Sequence, residues 1–82
     1  MSYTIEWSQS ALKFLNSLPK DIALRITNKI DLLKENPFRF LEHYDGDYYK
    51  LRIGDYRALV DIEHETKTIV IQVLDKRGRI YK

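Results

Sequence analysis

Between residues 48 and 63, two runs of alternating side chains are separated only by Gly54-Asp55. Period-two alternation marks a half-buried strand. A two-residue connection with glycine first suits a type II′ β-turn. A turn that short leaves one register. Ile53 faces Tyr56, Arg52 faces Arg57, Leu51 faces Ala58 and Lys50 faces Leu59, and facing residues share a side of the sheet. One side therefore holds Tyr49, Leu51, Ile53, Tyr56, Ala58 and Val60, a core face. The other gathers Lys50, Arg52 and Arg57, with no acidic side chain expected beside them before Asp61. Like charges opposed across a ladder are destabilising. Three cations on so small a patch fit a surface that docks a polyanion. A solvated face of long, snorkelling side chains is the plainer account of the hairpin taken by itself.

The apolar side of this hairpin needs a cover, and the first half of the chain supplies one. Residues 3–7 (YTIEW) are aromatic and β-branched and read as a short strand. Ser8 is placed to cap a helix whose stripe is Ala11, Phe14, Leu15 and Leu18. Pro19 breaks that helix and suits the first turn of another, opening at Pro19 or Lys20 with Asp21 at its positive end. The second stripe is Ile22, Ala23, Ile26, Ile30 and Leu33, and the helix ends at Asn36-Pro37. Residues 37–47 read as one long connection, tucked in by Phe38, Phe40, Leu41 and Tyr44, with a turn at Asp45-Gly46. After the hairpin, a turn at 63–67 leads to 68–74 (TIVIQVL), apolar on both faces as a central strand is. The fold class is α+β, in the order β-α-α-β-β-β: a mostly antiparallel four-stranded sheet with a helical hairpin packed on one face. The expected core is Leu15, Ile22, Ile26, Ile30, Leu51, Ile53, Val60, Ile69, Ile71 and Val73.

At 82 residues the chain is read as a single domain, 1–82. It has no cysteine, which removes disulfides and thiolate chemistry and fits a cytoplasmic location. The N-terminus lacks the pattern of a signal peptide, and no apolar run approaches the roughly 20 residues of a membrane span. No membrane contact is expected. The net charge of +2 is small, but residues 48–82 carry eight Lys and Arg against five Asp and Glu. The positive excess therefore lies in the strand-rich half.

His43 and His64 stand alone in expected loops, without zinc or EF-hand spacing, and no Gly-rich phosphate loop is present. Neither a metal, a cofactor nor a small-molecule substrate is expected. What remains is a basic, aromatic-bearing surface: Tyr48, Lys50, Arg52 and Arg57 on the hairpin, with Lys76, Arg77, Arg79 and Tyr81 in the tail. Such a surface can hold RNA through its phosphates and by stacking of splayed bases. It could also cleave RNA without a histidine or a metal. The 2′-hydroxyl is a built-in nucleophile that needs alignment, loss of its proton, charge stabilisation at phosphorus and protonation of the leaving oxygen.

The run YKLRIGDYRALVDI, the later KR and the terminal IY resemble the RelE toxins of toxin–antitoxin pairs, within the RelE/ParE superfamily. The helical segment with its LPKDI start is similar too, so the resemblance covers essentially the whole chain. It implies a ribosome-dependent mRNA endonuclease held inactive by a cognate antitoxin, with the ribosome and mRNA as its other partners. Residue by residue, Lys50 matches the second lysine of the family's K-x-K-L-R, Arg57 the arginine of G-Y-R, Arg77 the arginine closing the last strand, and Tyr81 the tyrosine of the tail. These four are the implied catalytic residues, with Tyr48, Arg52, Lys76 and Arg79 as RNA contacts. Tyr48 stands where the family has its first lysine, and the spacing from Arg77 to Tyr81 is shorter. Arg77 shares strand parity with Ile69, Ile71 and Val73, so it reaches the basic face only if the strand bends or ends near Asp75; otherwise Lys76 contributes. The alternatives are a ParE-like toxin acting on DNA gyrase and a non-catalytic RNA- or ribosome-binding module.

Overall fold

The computed structural model describes residues 2–46 and 48–76, with the side chain of Asp45 left aside. Gly54 has φ +57°, a value open to glycine at low cost, and the hairpin it closes has the register that a two-residue turn dictates. Strands β3 (Tyr48–Ile53) and β4 (Tyr56–Glu63) pair antiparallel from Ile53↔Tyr56 to Tyr48↔Asp61. β1 (Thr4–Trp7), α1 (Gln9–Asn16) and α2 (Lys20–Asp31) precede them, and β5 (Thr68–Lys76) follows. β2 (Glu42–Asp45) lies inside the stretch expected to be a plain connection.

The sheet therefore has five strands rather than four, in the order β1-β5-β4-β3-β2, with β1 parallel to β5 and the other pairs antiparallel. β2 escapes a sequence reading because it is short, polar at Glu42 and His43, and irregular in register between His43 and Asp45. α2 stops at Asp31 and tightens into a 3-10 turn, Leu32–Lys34, before Asn36 is reached. No helix of the described residues is long and apolar enough to cross a membrane.

The helices cover one face of the sheet. Ala11 and Leu15 of α1 and Ile26 and Ile30 of α2 join Leu51, Ile53, Ala58, Val60, Ile62, Ile69, Ile71 and Leu74 in one buried cluster. Phe14 meets Tyr56 edge-on, with ring centroids 6.1 Å apart. Two expected core residues differ. Ile22 is half-buried, and Val73 is 38% exposed while Leu74 beside it is buried.

A β-bulge explains the second difference. Val60 pairs with Ile71 but Leu59 pairs with Val73, so Gln72 is the extra residue and side-chain parity inverts after it. Ser8 holds the bulge in place. Its hydroxyl donates to the Gln72 carbonyl at 2.7 Å and accepts from the Ala11 N–H at 3.1 Å, capping α1 at the same time. The Ser8 N–H donates to the Ile71 carbonyl at 3.0 Å. One serine thus joins the end of β1, the start of α1 and the irregular point of β5.

Candidate functional site

The register of β3 and β4 decides which side chains meet on the uncovered face. Arg52 is opposite Arg57, and Lys50 is opposite Leu59. Leu51, Ile53, Ala58 and Val60 point to the core and are buried, so Lys50, Arg52 and Arg57 point away from it. Arg52 is exposed, while Lys50 and Arg57 are half-buried. The Arg57 Nε is shut off from solvent. Tyr48 is 43% exposed on the same side, in register with Asp61.

The cations are not without acids, contrary to the expectation that none precedes Asp61. β2 brings Glu42 into register with Lys50, and its Oε1 lies 3.5 Å from the Lys50 Nζ. The Glu42 side chain is 74% exposed, so this pair adds little stability. The Lys50 Nζ also lies 6.0 Å from the centroid of the Tyr44 ring, the outer limit of a cation–π contact. On the other side Asp75 of β5 is in register with Arg57. Its Oδ1 accepts from the Lys76 N–H at 2.7 Å. Both acids arrive from features that sequence parity did not supply: the added strand and the bulge.

The bulge also bears on the tail. Beyond Gln72 it is Val73 and Asp75 that share the open face with Leu59 and Arg57. Lys76 is in register with Tyr56, whose ring packs against the helices, and so stands on the helix side of the sheet, opposite to Lys50 and Arg57. Arg77, Arg79 and Tyr81 lie outside the described residues.

Lys50, Arg52 and Arg57 line a cleft of about 250 Å³, completed by Glu42, Leu51, Phe40 and Lys29. Lys29 comes from α2, with its Nζ 5.5 Å from the Phe40 ring centroid. Nothing in the local sequence pattern links it to the hairpin. Only the packing of α2 along the β3 edge does so. Four cations and one carboxylate around a small concavity can bind a phosphodiester and neutralise charge that develops at phosphorus.

The two histidines take part in a separate aromatic group. The His64 ring stacks on Phe38 at 5.8 Å, His43 meets Tyr49 edge-on at 5.7 Å, and the His43 Nε2 is 2.8 Å from the Gly46 carbonyl oxygen. Phe38 remains 47% exposed, so of the aromatic residues expected to tuck in the connection it does so least.

The chain is similar to several solved proteins over nearly all of its length. With a chain of the RelBE2 toxin–antitoxin complex from Mycobacterium tuberculosis it shares 27% identity at a TM-score of 0.84, covering 94% of this chain and 100% of that one. With a chain of the archaeal RelE–RelB complex from Pyrococcus horikoshii it shares 32% identity at a TM-score of 0.79, covering 96% and 99%. A YoeB/ParE toxin from Agrobacterium tumefaciens has the same fold, with a TM-score of 0.75 at 17% identity over 90% of this chain and 98% of its own. The family described as ParE toxin of type II toxin-antitoxin system, parDE, matches residues 5–81. A match of that span, together with an archaeal relative of that identity, places the chain in the RelE/ParE superfamily of type II toxin–antitoxin toxins.

Proposed function

We propose that the protein is the toxin of a type II pair that cleaves mRNA bound to the ribosome. The observation that carries this reading is the cluster of Lys50, Arg52 and Arg57 on the uncovered face, with Arg52 and Arg57 opposed across one ladder. That opposition costs stability, and a bound phosphodiester removes the cost. Arg57 is the group for the phosphorane charge. It stands mid-sheet with its Nε enclosed, so its fork is held before substrate arrives. The RNA's own 2′-hydroxyl attacks the adjacent phosphorus and loses its proton, and the bond to the 5′-oxygen breaks as that oxygen gains one. Lys50 is the proton acceptor or a further electrostatic contact, and Arg52 positions the strand. Arg77 as a second charge-stabilising group, Tyr81 as a stacking or proton-transfer group and Arg79 as an RNA contact complete the proposal; Lys76, on the helix side of the sheet, is not part of it.

The proposed inhibitor is a cognate antitoxin with an acidic or helical segment that folds over the basic face. Relatives of known structure were solved as toxin–antitoxin complexes, which supports such a partner. Residues 1–82 act as one toxin domain, in the cytoplasm where ribosomes are. A second reading, inhibition of DNA gyrase without RNA cleavage, draws on the family's ParE description. The test is incubation of the protein with free mRNA, with mRNA on programmed ribosomes, and with gyrase. Cleavage on ribosomes alone is expected. Gyrase inhibition with intact mRNA would replace the first reading with the second.

A further inference from the structure

β2 pairs with β3 only as far as Lys50, so the remainder of β3 is an open edge of the sheet. Two clefts adjoin it. One is the cleft of Lys50 and Arg57. The other, of about 460 Å³, lies between α2 and the hairpin turn and is lined by Arg25, Lys29, Leu32, Arg52, Ile53 and Gly54. Lys29 and Arg52 line both.

The second cleft has an unusual charge balance. Among the described residues no ion pair within 4 Å involves Arg25, Lys29 or Arg52. Arg25 and Lys29 are one helical turn apart, a like-charge pair that disfavours the helix. The wall between them is apolar. Leu32 is 50% exposed there, and Gly54 offers bare backbone. The Arg25 guanidinium is drawn close to that backbone, since a Cβ built on Gly54 would stand 2.6 Å from the Arg25 Nη2. Cations without acids beside an apolar wall suit a nucleotide, whose phosphate takes the cations while its ribose and base cover Leu32 and Gly54.

We infer that the second cleft holds the same RNA strand as the first, seating the nucleotides next to the phosphate bound by Arg57 and Lys50, with Arg25 and Lys29 binding phosphates. Continuity through Lys29 and Arg52 favours one strand over a separate protein segment. The inference rests on the reading of the first cleft as an RNA site, but it is measured by binding rather than cleavage.

The test is anisotropy titration of the whole protein with a labelled 2′-O-methyl RNA trinucleotide and nonanucleotide over a range of salt. Arg25→Gln combined with Lys29→Gln should weaken the nonanucleotide about 10-fold. It should lower the slope of log Kd against log salt by about 1.4, at roughly 0.7 for each phosphate no longer neutralised. The trinucleotide should lose clearly less, since Lys29 also lines the first cleft and Arg25 lines only the second, whereas Arg57→Gln should weaken both lengths. Lys13→Gln with Lys20→Gln removes the same charge elsewhere and should leave both affinities unchanged. Equal affinity of the first double variant and the parent for the nonanucleotide overturns the inference. So does an equal loss at both lengths, or an equal loss in the Lys13/Lys20 control. If cleavage proves absent while the length-dependent loss persists, the cleft stands as an RNA site and only the nuclease reading falls.

Discussion

The two faces of the sheet are built from the same strands and answer to different forces. On the helix side Leu51, Ile53, Ala58, Val60, Ile69, Ile71 and Leu74 are all at most 5% exposed and touch α1 or α2 or one another. Every one of them gains from leaving water. On the other side the β3–β4 ladder sets Arg52 against Arg57, an arrangement that opposes folding. The open face also changes along its width. Lys50, Arg52 and Arg57 lie toward β3, whereas Val70, Val73 and Asp75 lie toward β5. Positive charge is thus gathered on the β3–β4 part of the face, as suits a docking site. The helix side accounts for the fold, and the open side is the one proposed to meet a partner.

Substitutions that move across this divide should differ sharply. The largest effect on stability is expected at the helix side. Leu74→Ala should cost about 2–5 kcal/mol, because it empties a buried site next to Ala58. Val73→Ala, one residue away but beyond the bulge on the open face, should cost less than about 1 kcal/mol. Urea melts of the two variants check this, and equal losses would mean that the bulge at Gln72 is misplaced.

Ser8→Ala comes next, at about 1–2 kcal/mol, since it removes the cap of α1 and leaves the Gln72 carbonyl only the long contact from the Ser10 hydroxyl at 3.5 Å. Ser8→Thr should recover most of that, and the same melts report it. A smaller effect than that of Ser8 is expected at the turn. Gly54→Ala should cost about 1 kcal/mol from the left-handed backbone alone, since φ is +57° there and the Arg25 side chain can move aside. Its RNA affinity should change only as far as Arg25 is displaced from the second cleft.

What could be read from the sequence follows the same divide between local and distant causes. The Gly54-Asp55 turn is local, so the β3–β4 register and the placing of Lys50, Arg52 and Arg57 on one face follow from it. Ser8 as a cap and Pro19 as a helix break are local too. Val73 and Leu74 exchange roles because of a bulge whose carbonyl is met by a serine 64 residues away, and no window of sequence holds both partners. β2 was hidden because four polar and aromatic residues form a strand only when β3 offers its edge. For that reason Glu42 as the neighbour of Lys50 was hidden as well. Lys29 joins the site through helix packing, which the stripe of α2 defines only by what it excludes.

The central claim is that the open face serves RNA chemistry and the helix side serves folding. It is tested most directly by single-turnover cleavage of ribosome-bound mRNA by Arg57→Ala and Arg52→Ala, alongside their melting curves. Arg57→Ala should lose about 2–4 kcal/mol of transition-state stabilisation, roughly 30- to 1,000-fold in rate. Arg52→Ala should lose less, and both should melt close to the parent temperature. Full cleavage by a folded Arg57→Ala would contradict the account.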